Sequence, residues 1–498
     1  TIISSEPDID PEPFYRELRI RQGSVYNPQD VNRTIDRLDI LAGRLGYNFV
    51  QTQPRVTRND DTRTLDIEFD VVRGPRLFVE RIDIEGNSQT LDRVIRREFE
   101  LIEGDPFNRR KVQEAADRIR ALGFFSRVDV DSREGSAPDQ VIIDVNVEET
   151  TTGSLGFGVG FGTDDGLNGS VSLEENNFLG RGQRLAFSFA TTSENREFSF
   201  SFVEPRLFDR NLLAGLDLSY RTRDQDDFEY DVTRATFRPR IEFPIGEFSR
   251  LRLNYLLESV DIETETTNAS PFYQREVGRQ TSSGIGIGYT YDRRNSPIDP
   301  TAGFVLNFDQ TITGLGGDSK YYRAVVNAKA FTSFFNEELV LSAEFEGGFV
   351  KAFGGGETRV SERFFLGGNS FRGFEAFGVG PRDTTTLDAN GNAYNAPLGG
   401  NIYAIARFEA SFPIGLPEEY GIFGGVFLDV GSVWDLDTVT TGGVTAQSTD
   451  FDLRSSIGLS IFWDTALGPL RFNFATPLAK VDGVDRTEFF NFTVDARF

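Results

Sequence analysis

The chain changes its hydrophobic grammar once, near residue 150, and keeps each pattern on its own side of that point. Before it, apolar residues recur at helical spacing between short alternating runs. Val112, Ala115, Ala116, Ile119 and Leu122 fall on one face of a helix predicted over 108–122, with Asn108 placed to cap it and Gly123 to stop it. Strands are expected over 79–85, 126–131 and 141–147, and a second helix over 91–101. The same order returns upstream, as a helix over 32–45 with Ile35, Leu38, Leu41 and Leu45 inward, then strands over 49–57 and 64–72. Both long helices run into Leu-Gly-aromatic, Leu45-Gly46-Tyr47 and Leu122-Gly123-Phe124, which marks an internal repeat. The upstream copy offers no first strand, so it reads as truncated at its N-terminus, as if cut from a longer array. Residues 1–75 and 76–150 are thus two small α+β modules. Their sheet edges suit either the capture of an extended peptide or a plain spacer.

Beyond residue 150 strict alternation takes over. Leu155, Phe157, Val159 and Phe161 alternate with Gly156, Gly158 and Gly160; Phe198, Phe200 and Phe202 alternate with serines; Ile285, Ile287 and Tyr289 oppose glycines. Runs over 251–257, 339–345, 470–474 and 490–498 keep the same period. One face is greasy and aromatic and the other polar, as in a strand set between lipid and a lumen. Soluble sandwiches alternate too, but with shorter segments, and a run of roughly 350 residues would split into domains. At roughly 22 residues per strand and connection, that length gives ~16 strands, even-numbered as in single-chain outer-membrane barrels. The expected fold is a transmembrane β-barrel of about 16 antiparallel strands over 151–498, preceded by small α+β repeats.

Composition fits a barrel better than it first suggests. A mean hydropathy of −0.33 is polar, yet only every second barrel residue meets lipid. No stretch approaches the ~18 apolar residues of a membrane helix. The formal charge of −25 argues against nucleic acid as a partner. The chain has no His, Met or Cys, which excludes histidine acid–base chemistry, His or Cys zinc sites and disulfides. No nucleophile–base set, P-loop or metal-ligand cluster stands out, so neither enzymatic activity nor a cofactor or metal is expected. The chain opens on Thr1 without a charged-then-apolar leader, which reads as a mature or trimmed form.

One tract breaks the alternation: Glu362-Arg363-Phe364-Phe365-Leu366-Gly367-Gly368-Asn369-Ser370-Phe371-Arg372-Gly373-Phe374. Arg372 is either a solvated loop residue or part of a loop folded into a lumen, where its donors need carboxylates or carbonyls. The glycines of the first strand carry a similar choice. They weaken its pairing, or they relieve crowding where a barrel curves.

Several tracts carry a family pattern. They are Glu85-Gly86-Asn87 and Leu122-Gly123-Phe124-Phe125, then Asn177-Phe178-Leu179-Gly180, Tyr291-Asp292-Arg293-Arg294-Asn295 and Pro300-Thr301-Ala302-Gly303. Phe427-Leu428-Asp429-Val430-Gly431-Ser432-Val433-Trp434-Asp435 and Phe371-Arg372-Gly373-Phe374 complete the set, the last with Phe where Val or Ile is more usual. Together they resemble the outer-membrane protein insertase superfamily over nearly the whole chain, and the two modules resemble POTRA domains. The resemblance implies that Arg372, with Gly373 and Phe374, sits in the lumen against Glu409 and Asp429. It implies a weak lateral seam, which templates client strands, between the first strand (Gly156, Phe157, Gly158, Gly160) and the last, ending at Phe498. It also implies that an exposed helical surface holding Arg96 and Glu103 meets an accessory lipoprotein. The implied location is the bacterial outer membrane, with the POTRA modules in the periplasm. The implied partners are the lipid bilayer, unfolded β-barrel clients and periplasmic accessory lipoproteins. At this point a two-partner secretion or autotransporter-assembly transporter of the same superfamily stays open, as do a passive porin and a soluble carbohydrate-binding sandwich.

Overall fold

A computed structural model describes the chain except residues 1, 5–8, 19, 21–22, 24–25, 46, 48–49, 60–63, 75–76, 163–165, 193–194, 226–229, 265–268, 298–299, 336–337, 388–392, 394, 466–467 and 498. Two compact units result, Thr1–Thr150 and Thr151–Phe498.

In the first unit one sequence of elements occurs twice. Strand Ile2–Ser4, helices Glu12–Tyr15 and Pro28–Arg44, and strands Val50–Asn59 and Thr64–Arg73 form the upstream copy. Phe78–Glu85, Asp92–Arg96, Arg109–Ala121, Phe125–Glu134 and Gln140–Glu149 form the downstream one. In each, the last strand lies in the centre of the sheet, parallel to the first and antiparallel to the one before it. The long helices lie on these sheets because their apolar residues share one face. Val112, Ala115 and Ile119 pack with Ile82, Ile143 and Val145, and upstream Ile35, Leu38 and Ala42 pack with Phe69 and Val71. Asn108 caps its helix, its side chain accepting from the backbone N–H groups of Arg110 and Lys111.

Two expectations need correction here. The upstream repeat does not lack its first strand, since Ile2–Ser4 runs parallel to Phe69, Asp70 and Val71, with Ile2 buried. A three-residue strand is too short for alternation to reveal it. The helix expected over 91–101 ends at Arg96. After it the chain peels away to bond the first strand, Gly104 N–H donating to Val79 O at 2.7 Å and Val79 N–H to Asp105 O at 2.9 Å. Phe99 and Leu101 therefore enter the core after the helix has ended, though the spacing of Phe99 from Ile95 looks helical.

Where the first strand of the second repeat ends, Gly86 has φ of +93°, and a Cβ there would lie 1.9 Å from the Val147 carbonyl oxygen. Only glycine fits. The segment beyond it is tied down by Glu149, whose carboxylate accepts from Ser88 Oγ at 2.7 Å and from the amides of Gln89 and Thr90 at 3.0 and 2.6 Å. Partial burial opposes the charge, but these donors outweigh it and hold the carboxyl at about 2. A depressed carboxyl stabilises the fold above its unfolded pKa of 4.5, and that contribution fades as pH falls through about 2. Glu149→Gln should therefore lower the thermal midpoint of the 1–150 unit at pH 7, read at the helical CD signal. The gap from the native protein should close towards pH 2. A gap independent of pH would contradict this role.

The second unit is a closed antiparallel barrel of sixteen strands, the number the alternation leads one to expect. In chain order these are Gly153–Gly162 (β1), Gly166–Phe178 (β2), Gln183–Thr191 (β3), Asn195–Glu204 (β4), Leu213–Gln225 (β5), Tyr230–Pro244 (β6), Ser249–Glu263 (β7) and Gly278–Asp292 (β8). Gly303–Gly317 (β9), Tyr321–Phe334 (β10), Leu339–Ala352 (β11), Ile402–Pro413 (β12), Ile422–Trp434 (β13), Arg454–Thr465 (β14), Gly468–Ala479 (β15) and Phe490–Arg497 (β16) follow. Closure satisfies the backbone groups for which lipid has no partners. Leu155, Phe157, Val159, Phe198, Ile285, Ile287, Phe408 and Trp463 stand exposed on the outer wall. Inner residues pair across strands instead, as Arg240 does with Asp217, Arg252 with Asp309 and Arg407 with Glu346.

Closure is uneven. β1 pairs with β2 along its whole length, but with β16 only over 158–162 against 493–497. Among the described residues, the 153–156 edge of β1 has no strand partner on the seam side.

Candidate functional site

The connection from β11 to β12, residues 353–401, enters the lumen, which explains why alternation fails there. Two of its aromatic residues anchor it to the inner wall. Phe371 and Phe374 are fully buried, their ring centres 4.7 Å apart, and they pack with Val350, Ile405 and Val433. Between them Gly373 has φ of +90°, and a Cβ there would lie 3.0 Å from Ser456 Cβ and 3.3 Å from Ala475 Cβ. Both the backbone conformation and the close wall call for glycine.

Arg372 lies at the tip. Its Nε and Nη2 donate to the two oxygens of Asp429 at 2.8 and 2.6 Å, and its backbone N–H donates to the same carboxylate at 3.2 Å. Nη1 donates to Glu409, and the Ser456 hydroxyl donates to the Arg372 carbonyl. The guanidinium carbon sits 3.6 Å from the centre of the Phe427 ring. Glu409 also accepts from Arg471 Nη2 at 2.6 Å. Two arginines thus meet two carboxylates, so a charge that would be costly alone is balanced in a largely dehydrated place. Four consecutive strands, β12 to β15, hold the tip. The connection leading into β16 joins them, Glu488 N–H donating to the Gly373 carbonyl at 3.1 Å.

The structure therefore brings Arg372, Gly373, Phe374, Glu409 and Asp429 together. It adds Phe427, Ser456 and Arg471, which sequence reasoning missed. Phe427 was legible in principle, being two residues before Asp429 and so on the same strand face. Arg471 and Ser456 carry no signal beyond an inward position.

The other candidates fall in two places. Gly156, Gly158 and Gly160 lie on β1 on the face opposite the exposed Phe157, and Gly160 is buried, while Phe498 lies outside the described residues. Arg96 and Glu103 are both exposed and pair at 3.2 Å. Glu103, however, is not on a helix but in the turn after it, where the chain leaves to meet Val79. Arg96 is further held by Asp92 at 3.1 Å and by the Ile82 carbonyl at 3.1 Å.

Residues 177–498 match the Omp85 superfamily domain. The chain belongs to the Omp85 superfamily. Residues 2–74 and 77–150 each match the surface antigen variable number repeat, the POTRA module. A protein of Neorickettsia risticii (strain Illinois), named outer membrane protein assembly factor BamA, is 29% identical, covering 100% of this chain and 65% of its own length. One of the same name from Neisseria meningitidis serogroup B is 26% identical, covering 95% of this chain and 63% of its own length. The chain spans less than two-thirds of the length of these curated relatives. The crystal structure of BamA from Haemophilus ducreyi lacking POTRA domains 1–3 has the same fold, with a TM-score of 0.74 at 24% identity over 100% of this chain and 99% of that one. As an Omp85 member, the barrel is of the outer-membrane kind.

Proposed function

We propose that this chain is an assembly factor that folds other β-barrel proteins into the outer membrane, without nucleotide, cofactor or covalent chemistry. The observation that carries this reading is the short seam: a 153–156 edge with no strand partner among the described residues, beside a five-residue ladder, in an Omp85 chain whose relatives are named assembly factors. An unpaired edge is a template for a further strand. A client strand added there gains backbone hydrogen bonds, and the growing barrel gains burial of its outer face in lipid. The clamp on β12 to β15 keeps the C-terminal side of the seam rigid while the glycine-faced side opens. The POTRA repeats stand in the periplasm, where their sheet edges receive unfolded clients and the Arg96–Glu103 surface receives an accessory lipoprotein.

The test is the folding of an unrelated barrel protein into vesicles that hold the purified chain. Faster folding than into empty vesicles is expected, and pore conductance without any such acceleration would favour a porin. For the accessory contact, Glu103→Lys should weaken co-purification of the lipoprotein while the barrel's unfolding midpoint stays put. Unchanged co-purification would remove Glu103 from that contact.

A further inference from the structure

The clamp ties the 353–401 loop to β12 to β15. Towards other strands the same loop borders a lumen cavity of about 690 Å³. Five arginines line it, Arg221, Arg223, Arg234, Arg323 and Arg363, and among the described lining residues the single acid is Glu197. Three of the five are neutralised. Arg221 pairs with Glu197, Arg234 with Glu258 at 3.3 Å and Arg363 with Glu276 at 2.8 Å.

The other two have no carboxylate within ion-pairing distance among the described residues. Arg223, on β5, donates to the Asn195 side-chain oxygen at 3.0 Å and has its guanidinium carbon 5.3 Å from the Phe377 ring centre. Arg323, on β10, lies 4.5 Å from the Phe364 ring centre, and its Nε is sealed from solvent with no hydrogen-bond partner. Aromatic faces attract a guanidinium but leave its in-plane donors unused. Elsewhere in this lumen arginines meet acids, as Arg372 does, or backbone carbonyls, as Arg359 and Arg382 do, and the chain carries a net charge of −25. Two arginines on one cavity with neither a carboxylate nor a backbone carbonyl among their described partners run against that trend.

We propose that this cavity binds a phosphate-bearing ligand through Arg223 and Arg323. Two guanidinium groups without a carboxylate pair among the described residues match a phosphate monoester, which is close to a dianion at neutral pH, better than they match a single carboxylate. The cavity is far larger than a phosphate ion, so it takes the ester and part of what it is attached to. Ser361 and Arg363 of the loop line the same cavity as β5 and β10. A bound ligand therefore ties the loop to strands that the Arg372 clamp does not reach. Asn195 and Arg223 lie near the β3–β4 and β5–β6 connections, at the barrel end away from the start of β1, so ligand enters from that end as a free solute or as a lipid headgroup.

The test is calorimetric titration of the full chain in detergent at low ionic strength, with pyrophosphate as the probe. One saturable site is expected, and Arg223→Gln and Arg323→Gln should each weaken it about tenfold or more, the scale of one lost charge-assisted contact. Arg279→Gln, at an exposed residue of β8 outside the cavity, should change nothing. Arg323→Lys, which keeps the charge, should retain part of the affinity and guards against a misfolded Gln variant. Phosphatidic acid in the micelles distinguishes the sources: competition with pyrophosphate identifies a headgroup, and its absence a solute. Absence of saturable binding of either probe overturns the proposal, as does affinity unchanged in both folded Gln variants.

Discussion

Replacing Arg372 by alanine is expected to lower the stability of the barrel by about 3–5 kcal/mol, the usual cost of leaving buried charge without its partner. Asp429 is fully buried and would lose three donors at once. Glu409 would keep Arg471 and lose only one. The two acids should therefore couple unequally. Double-mutant cycles should give a larger interaction term for Arg372 with Asp429 than with Glu409, on the order of 1–3 kcal/mol for the former. The readout is built in, because both tryptophans, Trp434 and Trp463, lie on β13 and β14, and their emission follows the barrel alone. Strict additivity of both pairs would show that the short distances carry no clamp. Assisted client folding should fall with stability, since the same contacts brace the strands beside the seam.

A covalent staple across the seam should abolish assisted folding without unfolding the protein. Gly160 and Asp495 are register partners of β1 and β16. Directly opposed residues of an antiparallel pair have Cα atoms ~4.5–5.5 Å apart, within the range a disulfide spans unstrained. The chain has no cysteine of its own, so the G160C/D495C pair reports on itself. Oxidation removes the open seam from the ensemble and leaves the closed one intact. Client folding should drop to the rate of empty vesicles and return on reduction, with no loss of thermal stability. Ser188 and Ser199 on β3 and β4, with hydroxyls 2.6 Å apart, provide the control staple, and locking them should be harmless. Full activity in the oxidised seam protein, with its crosslink seen on a gel, would remove the seam from the mechanism.

How far these features could be read from sequence depends on their range along the chain. Alternation fixes which residues of β1 or β7 face lipid, because the period is local. Helix 109–121 is legible from its cap and stripe for the same reason. Ile2–Ser4 escaped because three residues carry no period, and the tail of the 91–101 helix was misread because Phe99 keeps helical spacing after the helix has ended. Arg372 is the intermediate case. Its pairs with Glu409 and Asp429 span 37 and 57 residues, so residue chemistry required acids while only the family pattern said which. Arg223 and Arg323 lie at the far limit. In the sequence they resemble any inward strand arginine, and only closure of the barrel leaves them without a carboxylate at ion-pairing distance among the described residues.

The most direct measurement is a disulfide trap between β1 and a client in the act of folding. Ser154→Cys places one thiol on the 153–156 edge, which has no seam-side partner among the described residues, and single cysteines are walked along the last strand of the client. Crosslinks should appear in one register, strongest at every second client residue, and should be absent when the thiol is moved to Ser188 on β3, which has partners on both sides. Equal trapping at both places, or none at Ser154, would contradict templating at the edge of β1.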